Sequence, residues 1–182
     1  MLRKLSEFPS MKNVKINVVS KKQMRNIELK ELDVKGQLSS ITGKDKSVIL
    51  GEYIDVRNGR KIGLQGNNIF ILGNLTSEQT IETFIHESSH AATVYGMNFM
   101  TTEQALEFTR ILERSREVAK QEGITKAVGD FYGLTNLQEF VAESLSNNNF
   151  SNFLRKRPSG ESNLLVKLIN AISNLLGFGQ VI

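Results

Sequence analysis

The sequence contains no cysteine and only two histidines among its 182 residues. Disulfides and thiolate ligation are thereby excluded, so any metal site has to be built from imidazole and carboxylate. A reducing compartment suits such a chain. No stretch reaches the roughly 18 consecutive apolar residues of a membrane-spanning helix, and the N-terminal MLRKLSEFPSMKNVKINVVS lacks the continuous apolar segment of a signal peptide. Neither export nor a membrane partner is expected. Excess charge of one sign is scarce too, because the net charge is +4 and the basic residues are interleaved with acids. Only Arg155-Lys156-Arg157 forms a basic run. It has no interleaved aromatic residues for base stacking and reads as a solvated face beside a turn at Pro158, so no nucleic-acid partner is expected.

What is present describes a folded protein. Hydrophobic residues make up 40% and charged residues 23%, which separates the chain from disordered sequences. The length accommodates one domain with a short appendage and argues against two full domains. Val14, Ile16 and Val18 alternate with polar neighbours and predict a strand near residues 13 to 19. A polar, poorly periodic stretch follows, then Val48-Ile49-Leu50 and Tyr53 to Val56. The Asn58-Gly59 pair inside Arg57-Asn58-Gly59-Arg60 predicts a hairpin turn. Ile69-Phe70-Ile71-Leu72, bracketed by glycine and asparagine, reads as a short strand.

The second half is helical in pattern. Thr76 with Gln79 forms a capping-box signature, opening a helix to about Tyr95. Further helices are predicted over Thr102 to Gln121, Asn136 to Ser146 and Asn149 to Arg155. After the break at Pro158 to Gly160, a last helix from Asn163 to Leu176 carries a broad apolar face that packs on its own domain or docks to a partner.

Chemistry concentrates in Phe84-Ile85-His86-Glu87-Ser88-Ser89-His90-Ala91. The pattern His-Glu-x-x-His on a helix places both imidazoles on one face, one turn apart, where they can close on a single ion. Glu87, next to the first histidine, can reach a metal-activated water and accept its proton. Chance placement of one core and one solvated histidine is the competing reading. That these are the chain's only two histidines, on one capped amphipathic helix, favours zinc. Catalytic zinc takes three protein ligands and keeps an open position. With no third histidine and no cysteine the remaining ligand is a carboxylate, and Glu139 and Glu143 stand one turn apart on the Asn136 helix. Spacing does not choose between them, and Glu139 could instead serve a capping box with Asn136.

The two blocks FIHESSHA and YGLTNLQEFVAE, in this order and separation, resemble the catalytic domain of anthrax lethal factor and its relatives, including domains of large phage-encoded proteins. The resemblance spans roughly residues 69 to 150. It implies an α+β, zincin-like metallopeptidase fold with a small sheet in the N-terminal part, the His-Glu-x-x-His helix and a helical C-terminal half. It also implies Zn2+ on His86, His90 and Glu139, Glu87 as general base, Tyr132 as the phenol serving the oxyanion or the leaving amine, and Glu143 as the acid supporting a ligand imidazole. The sequence lacks the length and signal peptide of a large secreted toxin, so toxin identity does not carry over. A small cytoplasmic or phage-delivered, virion-associated peptidase is the expectation.

The domain reading is thus a metallopeptidase domain over 1–150 and a helical extension over 151–182. The expected activity is zinc-dependent hydrolysis of peptide bonds in a protein or peptide substrate. The alternative is a phage virion or polyvalent-protein domain that keeps the zinc fold as a non-catalytic interaction module, its terminal helix docking to a partner. An immunity-type peptidase would carry a helix-turn-helix, which the sequence does not suggest. Finally, if the Ile69 to Leu72 strand lies at a sheet edge, an extended substrate can add to it, making Phe70 and Ile71 substrate-binding candidates.

Overall fold

The structure, a computed structural model, describes residue 11 and residues 14–34 and 50–178. Residue 13 of the expected first strand, and Val48 and Ile49, lie outside these. Two compact units form, Met1–Ala91 and Ala92–Ile182, and the residue-150 boundary suggested by the sequence falls inside the second. The fold is α+β, with a small N-terminal sheet and a mostly helical remainder.

The first unit contains β1 (Lys15–Val19), α1 (Lys21–Val34), β2 (Gly51–Ile54), α2 (Val56–Lys61) and β3 (Asn68–Leu72). The helix α3 (Ser77–Met97) follows, and the two units divide within it. The sheet order is β1-β3-β2. β1 runs parallel to β3 with Lys15 opposite Asn68, while β2 is antiparallel with Gly51 opposite Ile71.

All five residues of β3 are buried. Successive side chains of a strand point to opposite faces, and here both faces are covered. Phe70 and Leu72 join Val19, Met24 and Ile54 on one side, and Ile69 and Ile71 join Ala91 on the other. The edge-strand expectation is therefore corrected. β3 is hydrogen-bonded to a strand on each side, so Phe70 and Ile71 have no open backbone edge to offer a peptide, and their side chains belong to the core.

The predicted hairpin turn is corrected as well. Arg57 to Arg60 lie in α2, because Asp55 Oδ1 accepts from the backbone amides of Arg57 (2.7 Å) and Asn58 (3.0 Å) and so caps a helix at that point. The left-handed backbone is supplied later, by Gly63 (φ 84°) and Gly66 (φ 74°). Of the polar stretch after β1, residues 21–34 fold as α1. Ser20 and Gln23 cap it reciprocally, the Gln23 amide donating to Ser20 Oγ at 3.3 Å and the Ser20 amide to Gln23 Oε1 at 2.9 Å.

The second unit holds α4 (Thr102–Gln121), a 3-10 helix (Gly129–Leu134), α5 (Leu137–Ser146), α6 (Asn148–Arg155), the two-residue strands β4 (Pro158–Ser159) and β5 (Ser162–Asn163), and α7 (Leu164–Leu175). Each α-helix start has a side-chain cap: Thr101 with Gln104 in a full capping box, then Asn136, Asn147 and Asn163. The apolar stripes of α4 to α7 meet in one core that includes Phe108, Phe140, Phe150, Leu154 and Leu168. The broad face of α7 is filled within the unit by α4, α5 and α6. Among the described residues no helix is long and apolar enough to cross a membrane.

Candidate metal centre

α3 begins where the sequence marks it. The Gln79 amide donates to Thr76 Oγ1 (3.2 Å) and the Thr76 amide to Gln79 Oε1 (3.1 Å). One turn apart on this helix, His86 and His90 bring their Nε2 atoms to 3.1 Å, with ring centroids 4.7 Å apart and planes at 76°. Two nitrogens each ~2.0–2.1 Å from one tetrahedral ion would stand roughly 3.3 Å apart. The pair is thus close to a chelating arrangement, although 3.1 Å also suits a hydrogen bond between neutral imidazoles, one donating and one accepting.

A carboxylate distinguishes this pair from two histidines that merely meet edge to face. Ligand atoms of His86, His90 and Glu139 all lie within 4.8 Å of one another, a group that could hold a metal ion. All three residues are partly buried. Two imidazoles and a carboxylate form a donor set suited to zinc, with a fourth position available for water or substrate.

Glu139 owes its place to the start of α5. Its backbone amide donates to Asn136 Oδ1 at 2.9 Å, which caps the helix. Glu143 lies one turn further along, where one of its oxygens, Oε2, accepts from Asn147 Nδ2 at 2.9 Å. Glu87 is buried, only 6% exposed, on the same helix as the two histidines. Tyr132, in the 3-10 helix, is 45% exposed, and its carbonyl accepts from Thr135 Oγ1 at 2.7 Å.

Sequence reasoning missed one residue that braces this region. Arg116, on α4, donates from Nε to the Leu134 carbonyl (2.9 Å) and from Nη2 to the Thr135 carbonyl (2.8 Å), tying together the segment that separates Tyr132 from Glu139. Nothing in the pattern of α4 distinguishes Arg116 from the other charged residues of its exposed face. A cavity of about 310 Å³ in the second unit, with Arg116, Lys120, Lys126, Ile124 and Leu134 in its wall, includes none of the candidate ligands.

No family model matches the chain, and neither curated proteins nor solved structures give a match.

Proposed function

We propose that the chain is a zinc-dependent endopeptidase of the zincin type, similar in its site to the catalytic domain of lethal factor. The observation that supports this reading above others is the grouping of His86, His90 and Glu139 around one position, with Glu87 on the same helix. Zinc held there would polarise a peptide carbonyl and lower the pKa of water toward neutrality.

The chain's own residues supply the rest. Glu87 takes the proton from the attacking water and returns it to the nitrogen of the leaving amine, so one carboxylate serves as base and then as acid. Tyr132 presents a phenol able to donate to the developing oxyanion. Glu143 supports the ligand shell by hydrogen bonding, and the substrate is an extended peptide.

The test is incubation of the protein with a proteome-derived peptide library, with zinc, with chelator, and with chelator followed by zinc. Cleavage that disappears with chelator and returns with zinc is the expected outcome. A protein that binds zinc and cleaves nothing would make the non-catalytic interaction module the better reading.

A further inference from the structure

We infer that Gly51 is a positioning residue for Glu87, an inference that rests on the peptidase reading for its consequence but not for its geometry. β2 crosses α3 at Gly51. A Cβ built on this glycine would lie 2.3 Å from Thr83 Cγ2, 3.0 Å from Glu87 Cγ and 3.1 Å from Glu87 Oε1. Thr83 and Glu87 are one turn apart on α3 and both are buried, at 8% and 6% exposure. The strand backbone therefore lies directly over the stem and carboxylate of the proposed base.

Neither element has room to withdraw. Gly51 is in register with Ile71, the Leu72 amide donates to the Leu50 carbonyl at 2.9 Å, and Ile54 at the far end of β2 is 1% exposed. On the helix side, Ala91 is fully buried against Ile69 and Ile71. Glycine inside a strand often marks such a close approach of backbone to a neighbour. Here that neighbour is the catalytic carboxylate. With no side chain at position 51, the strand backbone lies close enough to confine Glu87 to the rotamers that run beneath it.

The contacts to Thr83 and Glu87 can be separated. Thr83→Ser removes Cγ2, the atom a new Cβ would strike hardest, while leaving Glu87 in place. In Gly51→Ala/Thr83→Ser the added methyl therefore presses on Glu87 alone. Its crystal structure should show the Glu87 stem displaced, with His86 and His90 unmoved and zinc content equal to wild type. The melting temperature should match Thr83→Ser. On peptide substrate kcat should fall about ten- to a hundredfold, the scale of a small misplacement of a reacting group, with KM little changed.

Glu87 in its original position, with kcat equal to that of Thr83→Ser, would overturn the inference and leave Gly51 as space for Thr83 only. Failure of the double variant to fold would overturn it as well, because a pressed flexible side chain should yield at little cost. If the wild-type protein cleaves no peptide, the peptidase reading fails separately, and the crystallographic position of Glu87 still decides this inference.

Discussion

Glu139 and Glu143 are chemically identical acids one turn apart on α5, and their surroundings differ. Glu139 belongs to the group with His86 and His90 that could hold a metal ion, while Glu143 accepts from Asn147, the cap of the next helix. Glu139→Ala should therefore weaken zinc retention more than Glu143→Ala, for which about a ten- to hundredfold loss of affinity or activity is the usual scale of a supporting hydrogen bond. Competition with a chromophoric chelator measures both, and the reverse ranking would move the third ligand to Glu143. His90→Ala should lose the metal outright. At this scale the histidine pair was legible, because a spacing of four on a helix fixes its geometry. Spacing did not choose between the glutamates, because both satisfy it, and Glu139 was implied only by the family resemblance.

The elements were legible where a cap or a period of 3.6 announced them. Thr76, Asn136 and Asn163 each open a helix at the expected place. Asn58-Gly59 misled because Asp55, three residues before Asn58, captures two amides and makes helix the better local solution. The Ser20 and Gln23 pair carried a capping signal that the polar composition of α1 obscured. For Ile69 to Leu72, an unbroken apolar run is the mark of a strand covered on both faces, which is what β3 is.

β2 also makes a pH-dependent contribution. Burial, and then the nearby Asp55 carboxylate, push the Tyr53 phenol up to about 12 from 10.0. The fold thus favours the neutral phenol, and the stability this contributes is fully present below pH 10 and is lost as the pH rises toward 12. Denaturant unfolding across this window should show wild-type stability falling more steeply than that of Tyr53→Phe. Equal slopes would mean that Tyr53 titrates normally.

For the whole molecule, the sequence conveyed an α+β chain with its sheet first and a mostly helical remainder, and the broad apolar face of α7 was legible in it. It did not convey the division within α3, since a continuous helix carries no compositional break. The last helix is a structural member of its unit. Leu168 is completely buried among the residues of that core, so Leu168→Ala should cost about 2–5 kcal/mol, read from denaturant unfolding. A cost under about 0.5 kcal/mol, the range of surface substitutions, would mean that α7 does not pack as described.

The proposed mechanism joins one zinc site to one base, and a zinc titration of the metal-free protein tests both together. Bound zinc and peptide cleavage are measured on the same samples of wild type and Glu87→Gln. Wild-type cleavage should rise in proportion to bound zinc and level off at one ion per chain. Glu87→Gln should bind the same zinc with cleavage lower by at least roughly a hundredfold. Full zinc occupancy with equal cleavage in the two proteins, or with none in the wild type, would contradict it.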